Sequence, residues 1–368
     1  MLVASSAPSG ADPALLEAAV RLAATHETPW PRDLRAHLEA GHFEAPPHNA
    51  ILGPVTPRGG PNGLVLRHGR VIARWGDTGR VDMTFSVAKS YLAILAGIAV
   101  GEGLIPDLDA PVRETVDDGG FDSAQNAPVT WRMLLQNTSE WEGTLFGKSD
   151  VIDRNRDIAV EGRGVKGEAR PLKAPGTHWE YNDVRVNRLS LSLLRRFGRA
   201  LPEVFAERMM RPIGASTDWS WHGYDNSWIN LPGRGPVQSV SGGGHWGGGV
   251  FIHAEDQALI GQLVLQDGVW NGRRLLPEGW VAACRVPCAL NPRYGLLWWL
   301  NTGGLSFPSA SHESFAFSGA GGHTTWIDPT RGLVAVMRWL DPALRDRFLG
   351  ILGAAVPSGE PQGRGCTA

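Results

Sequence analysis

The chain has 368 residues, a formal charge of −2 and no long polar or low-complexity tract, which is enough for one large domain or two that share an interface. That balance excludes the clustered basic face that nucleic acid or an anionic membrane requires, because the Arg residues are interleaved with Asp and Glu as on a solvated surface. The cysteines, Cys284, Cys288 and Cys366, are odd in number and read as reduced thiols rather than a disulfide framework. Cys284 and Cys288 share a helical spacing, yet neither a nearby His nor a second Cys pair completes a zinc site.

The N-terminal MLVASSAPSGADPALLEAAVRLAA lacks the basic start and long apolar core of a secretory signal, and no run reaches eighteen apolar residues, so the expected location is the cytoplasm. Residues 13–24 predict an amphipathic helix with Pro near its start, followed by a Pro-rich irregular stretch from Trp30 to Pro61. GLVLRHGRVIARWGD predicts two strands joined at His68-Gly69. Residues 87–101 predict a helix stopped by Gly101 and Gly103, and VTWRMLLQNTS and VRVNRLSLSLLRRFG predict two more. SVSGGGHWGGGVFI reads as glycine-rich punctuation ahead of a helix in AEDQALIGQLVLQDG. From Tyr294 onward the pattern turns to antiparallel strands, in YGLLWWLNT, SFAFSGAGG, TTWIDPTRG and GLVAVMRWL, before a last helix over 342–355. The expected architecture is α+β, an antiparallel sheet built from both ends of the chain, flanked by terminal helices and facing an inserted, mainly helical lobe across a cleft. The corresponding divisions are 1–85, 86–235 and 236–368.

Lys89 is the unusual residue. Only four lysines occur, Lys89, Lys148, Lys166 and Lys173, against thirty-one arginines. Arg cannot release its proton in a protein, whereas a desolvated Lys can become a neutral amine and act as a base. In MTFSVAKSYLAILAGIAVGEG, Ser86 and Lys89 are three apart at the start of a helix, which puts their β-carbons about 5–6 Å from each other on one face. The helix N-terminus adds N–H donors and partial positive charge. Serine is a weak nucleophile until a neighbour takes its proton, and this spacing meets that need without histidine. The plain alternative is that Ser86 caps the helix and Lys89 is a solvent-facing charge.

Two further stretches bear on the choice: PGTHWEYNDVRVNRLS, where Tyr181 stands two residues before Asp183, and FAFSGAGGHTTWIDPTRGLVAVMRW. In this order the three stretches resemble the serine β-lactamase and penicillin-recognising superfamily, in particular the class C β-lactamase-like branch that includes family VIII carboxylesterases and 6-aminohexanoate-dimer hydrolases. The resemblance runs from about Gly63 to the C-terminal helix and includes GGGVFIHAEDQALIGQLVLQDGVWNGRRLLPEGWV. It implies that Ser86 is the acylated nucleophile, Lys89 its base or proton-sharing partner, and Tyr181 a second proton relay, without settling which of the two is the base. It also implies that the backbone N–H groups of Ser86 and Ala320 form the oxyanion hole, with Ser318 and Gly319 on the same strand.

The sequence departs from that pattern twice. Phe317 stands where the third motif usually begins with Lys or His, and Asp183 stands where Tyr-x-Asn is usual. Both changes point to a neutral or cationic ester or amide rather than a β-lactam carboxylate. A one-residue change of register would let His323 supply a partial cation. LLQNTSEWEG brings Asn137 and Trp141 toward the cleft, Asn137 as buried support and Trp141 either lining the site or packing beneath it. Of the fifteen tryptophans, many in loops (Trp179, Trp219, Trp221, Trp228, Trp246), a few are expected to wall an apolar pocket. No Gly-x-Ser-x-Gly elbow and no His-Glu-x-x-His pair occurs, and the loose spacing of His245, His253 and Asp256 reads as structural.

The expected protein is therefore a serine hydrolase acting through an acyl-enzyme on a small ester or amide, with no metal or organic cofactor, no nucleic-acid or membrane partner, and an oligomeric state left open. A β-lactamase or DD-peptidase, and a catalytically weak penicillin-binding-like ligand-recognition module, are the alternatives.

Overall fold

The computed structural model describes residues 10–159, 162 and 164–358. A six-stranded antiparallel sheet carries the fold, in the spatial order Trp299–Leu300, Phe315–Gly319, His323–Asp328, Leu333–Arg338, Asn62–Arg67, Arg70–Trp75. The chain thus inserts its first hairpin beside its last strand, with Asn62 opposite Arg338 and Arg67 opposite Leu333. The hairpin turns at His68 and Gly69, where the sequence places it. Alternation along each strand gives the sheet two apolar faces. One buries Val65, Ala316, Ala335 and Met337 under the terminal helices Pro13–Thr25 and Arg345–Ala355, which pack against each other. The other buries Leu64, Phe317, Val334 and Val336 against Val87–Gly101 and Ala254–Leu265. The architecture is the α+β arrangement that the sequence predicts.

Val87–Gly101 is Ala-rich, free of Pro and buried on every side, as a helix that is apolar all round must be. Its neighbour Asp183–Phe197 starts at Asn182, whose side chain accepts from Val184 N and Arg185 N, and ends at Gly198 with φ +61°. Some elements are shorter than their patterns suggest. VTWRMLLQNTS yields only Trp131–Leu135, and YGLLWWLNT only Trp299–Leu300, the flanking residues running on as loops. Strand is also present late in the 86–235 segment: Ser220–Leu231 pairs with Gly235–Val240 and Gly249–Ile252 in a second sheet. Among the described residues no helix is long and apolar enough to cross a membrane.

A buried ion cluster fixes the loops beneath the cleft. Arg185, 1% exposed, donates to Glu140 Oε1 at 2.7 Å and to Trp141 O at 2.9 Å, and lies 3.2 Å from both Asp150 and Glu180. Arg170 makes a forked pair with Glu140, 2.7 Å on each side, and reaches Glu180 at 2.9 Å. Burial by itself would raise the Glu140 carboxyl; the Arg170 hydrogen bonds and the Arg185 charge overcome it and hold the group at about 2. Its stabilisation is present above the ordinary value of 4.5 and is lost as pH falls toward 2. Glu140→Gln is expected to lower stability by about 3 kcal/mol at neutral pH, since it removes the carboxylate that Arg185 and Arg170 share and leaves them Glu180 and Asp150. In urea titrations the gap between wild type and variant should narrow progressively below pH 4.5.

Candidate active site

The backbone enters the Ser86 helix through Phe85, held at φ +50° by burial among Trp30, Phe43 and Trp339. Ser86 is already right-handed (φ −68°, ψ −1°), and its side chain makes no capping hydrogen bond. Between Asp82 and Ala99 it is the one residue that is more than marginally exposed. Lys89 is 1% exposed and donates to Ser86 Oγ at 2.8 Å and Gly242 O at 3.2 Å, with Asp183 Oδ1 2.8 Å away. Lys89 Nζ is thus enclosed by three oxygens, those of Ser86, Gly242 and Asp183. The reading of Ser86 as a cap and Lys89 as a solvated charge is thereby excluded.

Asp183 belongs to a wider buried network. Its Oδ2 lies 3.2 Å from His245 Nε2, and its Oδ1 3.5 Å from Arg156. His245 Nδ1 is 2.5 Å from Glu44 Oε1, Lys166 pairs with Glu44, and Arg156 and Lys166 stand 3.6 and 3.4 Å from Asp153. Burial would raise the Asp183 carboxyl, but the charges of Lys89 and Arg156 hold it well below the usual carboxylate range. Burial, aided by Arg156, pushes the His245 imidazole down to about 3. Lys89, Arg156 and Lys166 thus stand against Asp183, Asp153 and Glu44, with the His245 ring between Asp183 and Glu44. Glu44, Asp153 and His245 converge closely enough to suggest a metal site, but Lys166 and Arg156 already occupy that space as cations. Glu140 and Glu180, beside His178, are likewise filled by Arg170 and Arg185.

A cavity of about 420 Å³ opens over Ser86 and is lined by Tyr181, Ser318, Gly319 and Ala320. Tyr181 immediately precedes the Asn182 helix cap; its ring stacks on Trp299 (5.7 Å, 30°) and lies 5.3 Å from Lys89 Nζ. Gly319 is required by close approach: a Cβ there would sit 2.2 Å from Thr84 O and 3.2 Å from Ser86 N. Gly243, at φ +72°, faces the same constraint, since a Cβ on it would lie 2.1 Å from Phe85 O. The glycine-rich segment around His245 is thus more than punctuation, since Gly242 bonds Lys89 and Gly244 abuts Asp183.

The structure brings Ser86, Lys89, Tyr181, Ser318, Gly319 and Ala320 together and removes the remaining candidates from the cavity wall. Phe317 is fully buried against Tyr91 and Trp298, because strand alternation turns it to the face opposite Ser318. Asp183 lies beneath the cleft, neutralised, and does not face a substrate. The Asp183 ground for preferring a neutral or cationic substrate therefore falls, while Phe317 still leaves the third motif without a cation. His323 is buried against Trp339, and burial together with Arg338 and Arg58 holds it neutral, so it supplies no cation. Asn137 supports: at φ +58° it donates to Tyr294 OH at 3.0 Å and accepts from Glu180 N at 2.9 Å. Trp141 packs beneath, its Nε1 donating to Gly120 O at 2.7 Å. His253 caps a helix through Asp256 N.

The sequence reading misses Arg156, Arg293, Arg345, Trp299, Phe43 and Phe307, all on the cavity wall. None belongs to a local motif, and the tryptophans singled out in loops do not line it. Asp183→Asn should leave Lys89 and Arg156 short of a counter-charge and lower stability by about 3–5 kcal/mol, read as a reduced denaturant midpoint. A residue facing the cleft would instead change ester charge preference at constant stability.

Comparison with known proteins places this geometry in a family. The 6-aminohexanoate-dimer hydrolase of Paenarthrobacter ureafaciens is 24% identical over 318 residues, covering 77% of this chain and 73% of that protein. The crystal structure of a penicillin-binding protein homologue from Caulobacter crescentus has a TM-score of 0.61 at 16% identity, over 95% of this chain and 99% of the other. That of a family VIII carboxylesterase has a TM-score of 0.59 at 16% identity, over 89% and 99%. These structures share the fold. Residues 63–339 match the family described as Beta-lactamase, and the chain, with its buried Ser86–Lys89 pair at the head of a central helix, belongs to that family of serine-hydrolase type.

Proposed function

We propose that the protein hydrolyses a small ester or amide through an acyl-enzyme on Ser86. The observation that carries this reading is the 2.8 Å contact between Ser86 Oγ, open to the cavity, and the buried Lys89 Nζ, with Tyr181 on the same wall. In the form of the enzyme whose Lys89–Tyr181 pair has given up one proton, Ser86 Oγ adds to the carbonyl carbon and the serine proton fills the vacant place in that pair. The carbonyl oxygen, now negative, meets the backbone N–H groups of Ser86 and Ala320. The C–O or C–N bond to the leaving group then breaks, and the departing alcohol or amine takes up the proton. Water repeats the sequence on the acyl-serine, its proton entering the same pair and returning to Ser86. Asp183 acts through Lys89, holding the amine against Ser86 rather than touching substrate.

Incubation with short-chain nitrophenyl esters and a chromogenic cephalosporin, followed by product release and intact mass, tests the proposal. Ester turnover beyond one equivalent, with a transient acyl mass on Ser86 and little cephalosporin loss, is the expected result. Cephalosporin turnover exceeding ester turnover would replace it with a β-lactamase, and a stoichiometric adduct without turnover with a ligand-recognition module. Lys89→Arg keeps the charge but cannot become a neutral base, so ester turnover should fall about 10²–10⁴-fold. Near-full activity in that variant would remove Lys89 from the mechanism.

A further inference from the structure

We infer that His245, gripped by Phe43 and Glu44, is a positioning residue that turns the Asp183 carboxylate toward Lys89 and away from Arg156. The reaction so served rests on the hydrolase reading; the orientation rests on contacts beneath the cavity.

Asp183 stands in the first turn of its helix with two cations against one oxygen. Its Oδ1 is 2.8 Å from Lys89 Nζ and 3.5 Å from Arg156 Nη1. The two are unequal competitors. A guanidinium presents paired N–H donors in a rigid fork that suits both oxygens of a carboxylate, whereas an ammonium is a point charge. Left free to rotate, the carboxylate would settle on Arg156 with both oxygens and leave Lys89 with Ser86 and Gly242 alone. The second oxygen prevents this. Oδ2 lies 3.2 Å from His245 Nε2 and beside Gly244, where a Cβ would sit 2.5 Å from it. With a proton on Nε2, the tautomer that an ionised Asp183 favours, the ring holds this oxygen and leaves Arg156 no second one to fork onto.

The ring is itself held on its face and its far edge. Phe43 stacks on it at 4.5 Å and 22°, and Trp246 packs edge-on at 5.4 Å. Nδ1 lies 2.5 Å from Glu44 Oε1, with a proton between them. Lys166 ties this grip down by pairing with Glu44, donating to Phe43 O at 3.1 Å and standing 3.4 Å from Asp153. Phe43 and Glu44 precede residue 63, where the match to the family begins. Phe43 also lines the cavity beside Ser86 and Tyr181, so the segment that walls the cavity also sets the lysine.

Turnover of 4-nitrophenyl butyrate by three His245 variants tests this. His245→Leu removes the polar atoms of the ring, His245→Gln returns a polar group at the place of Nε2, and His245→Asn returns one only at the place of Nδ1. His245→Leu should lose about 10²-fold in kcat at near-constant KM, as a misplaced proton-transfer group does. His245→Gln should recover most of that loss and His245→Asn little of it. Removing the competitor gives the sharper readout: His245→Leu/Arg156→Gln should turn over faster than His245→Leu. A purely structural His245 would change stability while kcat per folded molecule stays intact, or would lose kcat equally in all three variants with no recovery in the double variant. Either result overturns the inference. If His245→Leu does not fold, equal kcat in His245→Gln and His245→Asn overturns it, and a higher kcat in His245→Gln supports it. If the wild type turns over no ester, the hydrolase reading fails separately, and crystal structures of wild type and His245→Asn judge the orientation. Asp183 forked onto Arg156 and beyond about 4 Å from Lys89 in the variant supports it, and Asp183 still on Lys89 overturns it.

Discussion

The structure is organised by the need to keep one ammonium out of water. Lys89 is buried in the central helix, and desolvating a charge is tolerable only when it is paired and hydrogen-bonded. Ser86 Oγ, Gly242 O and Asp183 enclose its Nζ. Asp183 in turn needs its own partners, which draws in Arg156 and His245, and through them Glu44, Asp153 and Lys166. These residues come from the irregular N-terminal stretch, the loop before the Asn182 cap and the glycine-rich segment. The nucleophile is thus positioned by segments far apart in the chain.

The same constraint orders the electrostatics of the site. Acids are consumed beneath the cavity, compensating the lysine and its neighbours, while the guanidiniums of Arg345 and Arg293 remain on the wall. A charge read from its position in a motif can therefore have the opposite influence from the one expected. Asp183 looks like a negative wall in the sequence and is, in the fold, a buried counter-ion. The guanidiniums on the cavity wall come from Arg293 and Arg345, more than a hundred positions after Asp183.

The sheet supplies the remaining precision. Gly319 lets the Phe315–Gly319 strand run against Thr84 and Ser86 at a distance no side chain would permit. Strand alternation then separates Phe317, which packs into the core below, from Ser318 at the cavity edge. Rigid burial on both faces of the sheet holds this contact, while the Arg185–Glu140–Arg170 cluster secures the opposite wall from which Tyr181 stacks on Trp299.

The sequence by itself determined what is local: the first hairpin, the helix of 87–101, the terminal helices and the last strands. It also determined the Ser86–Lys89 pair, because three residues along a helix set a distance regardless of what surrounds them. Tyr181, Ser318, Gly319 and Ala320 were legible only through resemblance to a family, since their meeting with Ser86 depends on loops closing over many residues. Depth and facing were decided by tertiary structure alone. Phe317, His323, Asn137 and Trp141 lie near the site in sequence register yet are turned into the core or beneath the cleft, and no periodicity in those stretches distinguishes the two sides. Arg345 enters from the far helix with no motif to announce it, because the partners that define a buried charge are chosen by packing and not by spacing along the chain.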